Sequence, residues 1–124
     1  MLPLQGVYEI AIPVENLPRA QTFYCDILGL KIGLRDEKRN WLFLYVGGNA
    51  GMVVLQENAG DWPSQHFAFQ VDKGDLESAA ASLREQGVEV EGPIFHSWMD
   101  STSIYFSDPD GHQLEILALA QSSR

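Results

Sequence analysis

The sequence predicts an α+β fold in which two βαβββ modules form paired half-barrel sheets around a shared cavity, with the helices on the outside. Apolar residues alternate in two short segments that begin at Glu9 and His66, which is typical of half-buried strands. An amphipathic helix pattern and three further strand-like segments follow each of them. The halves repeat at an interval of 57 residues from Glu9 to His66 and 58 residues from Gly29 to Gly87.

Start and stop signals delimit the two predicted helices. Asn16 is a suitable N-cap, with Pro18 at the first helical position, and Asp75 is a suitable N-cap for the second helix. Gly29 and Gly87 suit the left-handed conformation in which helices end. The other strands are predicted at about residues 30–35, 40–46 and 52–57 in the first half and about 88–91, 101–106 and 113–119 in the second.

Length and composition predict one compact domain over residues 1–124, with modules at about residues 5–60 and 62–120. The chain is 45% hydrophobic and 20% charged, which excludes a disordered protein. No apolar run approaches the roughly 20 residues of a membrane span, and the first residues do not resemble a signal peptide. We therefore expect a soluble, cytoplasmic protein without a membrane partner. The single cysteine, Cys25, excludes an intrachain disulfide and a cysteine-based zinc site.

The charge balance limits the partners. Seventeen acidic and eight basic residues give a net charge of −9, which would repel a nucleic acid. Half of the basic residues fall between positions 31 and 39. One interpretation is a solvated hairpin tip, since Asp36 and Glu37 lie among them. The other is a cationic rim in which Arg35 binds an anionic small-molecule substrate.

Three ionisable side chains are predicted to share the open side of the sheets. A four-stranded sheet backed by one helix has a covered face and an open face, and alternation assigns the apolar residues to the covered face. In the first, fifth and last strands, the open face then carries Glu9, His66 and Glu115. A carboxylate is costly to bury without a partner, so this arrangement favours a cation or a hydrogen-bond network.

The motifs of the chain resemble those of the vicinal oxygen chelate superfamily, which includes glyoxalases, bleomycin-resistance proteins and extradiol dioxygenases. The resemblance covers about residues 7–119. The residues that carry it are Glu9 to Leu17, Phe23-Tyr24, Leu28-Gly29-Leu30, His66 to Val71, and Tyr105 to Glu115 with its Asp108-Pro109-Asp110-Gly111 turn. The resemblance implies paired modules and a divalent ion held by the first, fifth and last strands, at Glu9, His66 and Glu115. Most members have His or Gln where this chain has Glu9.

Two carboxylates and one imidazole suit Mn, Fe(II), Ni, Co or Mg, and Zn is also possible. The internal repeat aligns Leu55 with Glu115, which predicts three protein ligands and open positions for substrate. Gln56 would replace a ligand only if the strand slipped by one residue. With open positions the ion is a Lewis acid, so the expected function is a lyase, isomerase or conjugating transferase acting on a small oxygenated molecule, with Glu115 also taking part in catalysis.

Further candidates are predicted around the same site. His96 would be a general acid or base, Trp98 and Met99 would cover an apolar part of the substrate, and Tyr105 would line the wall. For each of them an ordinary packing role is the alternative. His112 and Asp108 are interpreted as residues that stabilise the turn rather than as ligands.

Two other functions remain open to different degrees. A metal-free protein of the bleomycin-resistance type would use the glutamates to hold a cationic or aromatic drug-like compound. A ring-cleaving dioxygenase is disfavoured by Glu9 and by the short chain. The resemblance also implies association into a homodimer.

Overall fold

The computed structural model describes residues 1–48 and 51–120, and the chain divides into two compact units, Met1–Pro63 and Ser64–Arg124. Each unit is a βαβββ module, so the predicted α+β fold and its internal repeat are confirmed. Residues 49, 50 and 121–124, which fall within the predicted domain, lie outside the described residues. Within the described ranges, no helix is long and apolar enough to cross a membrane.

The first unit contains four strands and one helix. Its elements are β1 (Glu9–Val14), α1 (Leu17–Gln21) with a π-helical continuation (Thr22–Ile27), β2 (Lys31–Asp36), β3 (Trp41–Val46) and β4 (Gly51–Glu57). The strand order in the sheet is β1-β4-β3-β2, and β1 runs parallel to β4 while the other pairs are antiparallel.

The second unit repeats this arrangement. Its elements are β5 (His66–Gln70), a 3-10 turn (Lys73–Asp75), α2 (Leu76–Glu85), β6 (Glu91–His96), β7 (Ser101–Ser107) and β8 (Gln113–Leu119). The strand order is β5-β8-β7-β6, with β5 parallel to β8. The edge strands of this sheet are therefore β5 and β6, which pair on one side only.

The start of β6 corrects one prediction, because the strand expected at about residues 88–91 is β6 at Glu91–His96. The Val88 N–H donates to the Leu83 carbonyl at 3.0 Å, so Val88 still belongs to the helix end. The Arg84 guanidinium binds the Val90 carbonyl at 3.1 Å. Because Val88 still belongs to the helix end, strand pairing begins only at Glu91.

The structure confirms the predicted helix caps in part. The Asn16 side chain accepts a hydrogen bond from the Arg19 N–H at 2.9 Å, as a helix N-cap does. Because α1 begins at Leu17, Pro18 occupies the second helical position rather than the first. Asp75 precedes α2, but within the described ranges its side chain makes no capping hydrogen bond, since a 3-10 turn already leads into the helix.

The core forms on the helix side of each sheet. In β8, Leu114, Ile116 and Ala118 are buried, whereas Gln113 is exposed. The helix α2 contacts β7 and β8 and buries Leu76 among its own apolar residues. The residues of β8 that lie between these buried positions, including Glu115, consequently project from the opposite face of the sheet.

A β-bulge in β6 decides which of its side chains face that opposite side. Glu91 pairs with Tyr105 and Ile94 pairs with Ser103, so β6 has one extra residue between the two pairs. Because side chains alternate along a strand, the extra residue inverts the facing of everything after it. The bulge therefore places His96 on the same face of the sheet as Tyr105.

We predict that Gly92→Ala destabilises the protein by about 1–3 kcal/mol, because the bulge holds residue 92 in a backbone conformation that is strained for any residue with a Cβ. Its φ is +111°, and an added Cβ would lie 2.8 Å from the Ser103 carbonyl oxygen. Urea unfolding measures the change. Gly74→Ala is the control, because among the described residues no heavy atom beyond its chain neighbours lies within 4 Å of its added Cβ. Equal stability of the two variants would contradict the strain.

Candidate functional site

His66 and Glu115 lie together on the open face of the second sheet. In the parallel ladder of β5 and β8, His66 pairs with Gln113 and Ala68 with Glu115, so the two side chains start from adjacent strands on one face. His66 Nε2 lies 3.4 Å from Glu115 Oε1. The side chain of Glu115 is 13% exposed and that of His66 is 58% exposed, so the pair opens to solvent on the imidazole side.

Each member of the pair also makes a hydrogen bond through its other polar atom. The Ser103 hydroxyl donates to Glu115 Oε2 at 2.6 Å, which leaves Oε1 directed toward the imidazole. His66 Nδ1 lies 3.1 Å from the Gln113 carbonyl oxygen. Since a carbonyl oxygen only accepts hydrogen bonds, Nδ1 carries the hydrogen, and a neutral His66 ring has its lone pair on Nε2.

This donor geometry fits a divalent ion. A neutral Nε2 would face a carboxylate oxygen with a lone pair, an arrangement that needs a proton or a metal ion between the two. Two donors that share one ion at about 2.0–2.2 Å lie roughly 3.0–3.4 Å apart. The observed 3.4 Å falls in that range. A histidine whose Nδ1 donates to a backbone carbonyl is also the usual orientation of a metal ligand.

Tyr105 and His96 form a second polar pair on the same face. Tyr105 pairs in register with Glu115, and the bulge in β6 presents His96 to it. His96 Nε2 lies 2.7 Å from the Tyr105 hydroxyl oxygen, a distance typical of a hydrogen bond. One hydrogen is therefore shared between a phenol and an imidazole, both of which exchange protons in enzymes.

Trp98 and Met99 lie in the turn after β6. The side chain of Trp98 is 81% exposed and that of Met99 is 44% exposed. The Trp98 ring lies 6.2 Å from the His96 ring, measured between centroids. The turn thus places the large apolar ring of Trp98 beside the His96–Tyr105 pair.

Glu9 and Arg35, the remaining predicted site residues, belong to the first unit. Glu9 begins β1 and is exposed. Arg35 lies in β2, and its guanidinium donates to the Asp36 carbonyl at 2.9 Å and to the Trp41 carbonyl at 3.3 Å. It also binds the side chain of Asn40. Arg35 therefore holds the β2–β3 hairpin closed.

Arg39, a second basic residue of the same segment, likewise contacts the β2–β3 hairpin. The Arg39 guanidinium lies 2.6 Å from the Asp36 carboxylate and 5.6 Å from the centroid of the Trp41 ring. The backbone N–H and the guanidinium of Arg39 hold the pKa of the Asp36 carboxyl below its usual value. These contacts are those of the hairpin-tip interpretation.

Cys25 lies in the π-helical continuation of α1 and is half-buried. Burial, followed by the negative charge of Asp26, raises the pKa of its thiol. A raised pKa leaves the thiol protonated near neutral pH, so Cys25 is a weak nucleophile.

The strand register corrects the alignment of β4 with β8. Ala68 pairs with Glu115, and Ala11, its counterpart in β1, pairs with Val54. The predicted equivalence of Leu55 and Glu115 is therefore wrong by one residue, because the loops of the two modules differ in length. Valine, like leucine, has no metal-binding atom.

Gln56 is affected by the same correction. It pairs with Pro13 of β1, so without any slip of the strand it lies on the face that carries Glu9. The interpretation that Gln56 would reach this face only after a slip of the strand is wrong for this reason. Its amide oxygen could ligate a metal ion on that face of the first sheet.

Ser103 is a site residue that the sequence analysis does not single out. It is completely buried, and its hydroxyl is the hydrogen-bond donor to Glu115. The sequence did contain one indication of this role. Ser103 is a polar residue two positions before Tyr105 in a predicted strand, and it therefore lies on the same face of the sheet as Tyr105. Only the pairing of β7 with β8 shows that it reaches the carboxylate.

Comparison with known proteins identifies the family. The sequence model of the Glyoxalase/Bleomycin resistance protein/Dioxygenase superfamily matches residues 6–116. The integron cassette protein HFX_CASS4, from the mobile metagenome of the Halifax Harbour sewage outfall, superposes with a TM-score of 0.90 at 47% identity, over 94% of this chain and 100% of that one. This protein belongs to the Glyoxalase/Bleomycin resistance protein/Dioxygenase superfamily.

Two curated relatives are similar over nearly the whole chain. The metallothiol transferase FosB of Staphylococcus epidermidis is 29% identical over 118 residues, which cover 91% of this chain and 83% of the relative. The uncharacterized protein YaeR of Escherichia coli (strain K12) is 30% identical over 132 residues, covering 94% of this chain and 98% of the relative.

We predict that Ser103→Ala lowers the free energy of unfolding of the metal-free protein by about 1–3 kcal/mol, since Glu115 loses its hydroxyl donor. Chemical denaturation in the presence of a chelator measures this. Ser101→Ala is the matched control, because Ser101 is also buried but its hydroxyl has no hydrogen-bond partner among the described residues. A control as destabilising as Ser103→Ala would contradict the assignment.

Proposed function

We propose that the protein is a divalent-metal-dependent enzyme that acts on a small oxygenated substrate. The observation that carries the proposal is the His66–Glu115 pair, whose Nε2 and Oε1 lie 3.4 Å apart while Gln113 and Ser103 hold the opposite atoms. Side chains fixed in this way are preorganised to bind a cation. The metallothiol transferase FosB, similar along most of the chain, supports the same conclusion.

The proposed ligands are Glu9, His66 and Glu115. Two carboxylates and one imidazole suit Mn, Fe, Ni, Co, Mg or Zn, and the donor set does not single out one of them. When bound, such an ion supplies Lewis-acid polarisation of a substrate oxygen. Glu115 Oε2 accepts from Ser103, and Oε1 faces His66 Nε2. Oε1 therefore binds the ion or accepts a substrate proton.

The His96–Tyr105 pair is the proposed acid–base group. The Tyr105 hydroxyl contacts the substrate, and His96, 2.7 Å away, exchanges the shared proton with it. Trp98 and Met99 cover an apolar part of the substrate. The reaction is then of the lyase, isomerase or conjugating-transferase type. The similarity to the metallothiol transferase FosB favours a transferase. The whole chain acts as one glyoxalase-like domain in a homodimer.

We expect the purified protein, dialysed against Mn²⁺, Co²⁺ or Zn²⁺, to retain about one ion per chain of the preferred metal. His66→Gln and Glu115→Gln should each lose most of it, because each removes one donor from the site. Elemental analysis by mass spectrometry measures the content.

His96→Gln is the matched control for this measurement. It removes an imidazole from the same face but not a proposed ligand, so it should keep its metal. Full metal content in His66→Gln would contradict the proposed ligand set.

A second candidate function is the sequestration of a drug-like compound without a metal. Two observations favour it: a protonated His66 would neutralise Glu115 at 3.4 Å without an ion, and Trp98 is 81% exposed on the same unit. Titration with bleomycin, followed by tryptophan fluorescence with and without EDTA, separates the two functions. We expect no tight binding of bleomycin in EDTA, and micromolar or tighter binding that EDTA leaves unchanged would favour sequestration instead.

A further inference from the structure

We propose that His112 is a positioning residue that fixes the ring of His66, so that Nε2 faces Glu115. The proposal rests on the proposed function in one respect, that the orientation of His66 matters for binding an ion. It goes beyond the turn-stabilising role inferred from the sequence, because it connects the turn to the candidate site through a chain of hydrogen bonds.

The turn before β8 is built around one carboxylate. Asp108 is buried, and its Oδ1 accepts from the N–H groups of Asp110 and His112, both at 2.9 Å. The Asp108 N–H in turn donates to the His112 carbonyl at 3.1 Å. The backbone of His112 is thus held at both its N–H and its carbonyl, and the start of β8 has a fixed position.

The side chain of His112 extends this order to the neighbouring strand. Its ring is fully buried, and its Nδ1 accepts a hydrogen bond from the Gln65 N–H at 2.9 Å. The Gln65 carbonyl accepts from the Gln113 N–H at 2.8 Å. Both backbone polar groups of Gln65, the residue directly before β5, are therefore held by two consecutive residues of the other strand.

His66 depends on this anchor because of its place in the sheet. It is the first residue of an edge strand, and its side chain is 58% exposed, so packing on its ring is limited. Strand ends that pair on one side fray readily. Once Gln65 is anchored, His66 Nδ1 lies within reach of the Gln113 carbonyl, at 3.1 Å, which selects the tautomer with a lone pair on Nε2.

The test compares two amide substitutions of His112. In His112→Asn the side-chain oxygen lies close to the position of Nδ1 and can accept from Gln65, whereas in His112→Gln the longer side chain displaces that oxygen. His112→Ala removes the acceptor altogether. The measurement is nitrogen-15 NMR of the His66 ring in the metal-free protein at pH 8, which reports the tautomer directly.

We expect the wild type and His112→Asn to show His66 mainly with hydrogen on Nδ1. His112→Gln and His112→Ala should show a mixture of tautomers and a Co²⁺ affinity about tenfold lower or weaker still, as for other residues that orient a ligand. Leu83→Ala, a core substitution remote from the turn, controls for general destabilisation and should leave the tautomer unchanged.

An unchanged His66 tautomer in folded His112→Gln or His112→Ala would overturn the proposal. If His112→Ala does not fold, the comparison of the two amide variants decides the question. If the wild type binds no Co²⁺, Mn²⁺ or Zn²⁺, the proposed function fails, whereas the tautomer measurement still tests the role of His112.

Discussion

The parallel pairing of β5 with β8 is the constraint on which the candidate site depends. Parallel strands begin at the same end of a sheet, and side chains at alternate positions project to the same side. This pairing alone brings an imidazole and a carboxylate, far apart in the sequence, to 3.4 Å from each other. Ser103 in the next strand and His112 at the start of the ladder are arranged around that contact.

The Glu115 carboxylate sets the electrostatics of this face. At 13% exposure it has lost most of its contact with water, and a charge in that position needs compensation by hydrogen bonds or by a positive charge. Ser103 supplies the hydrogen bond and leaves the other oxygen toward His66. A group whose charge is satisfied on one side only is suited to binding, because the remaining attraction is available to a ligand.

Prediction from sequence succeeded where local patterns suffice and failed where distant groups compete. The alternation around His66 and Glu115 correctly placed both on the open face, because burial imposes a period of two on each strand. The strand expected at residues 88–91 begins only at Glu91, because the Val88 N–H still binds the Leu83 carbonyl at the helix end. The sequence indicated His96 as an acid–base candidate because an imidazole exchanges protons near neutral pH. The bulge in β6 determines which face of the sheet its side chain occupies.

The sequence by itself determined the two-module architecture, the helix boundaries at Asn16, Gly29 and Gly87, and the residue types available for chemistry. These follow from short-range preferences of the backbone and from the partition of apolar side chains. Only the tertiary structure decided that Ser103 donates a hydrogen bond to Glu115. It also decided that the counterpart of Glu115 in β4 is Val54 and not Leu55. Register and side-chain reach arise from hydrogen bonds between separate strands, and no local pattern encodes them.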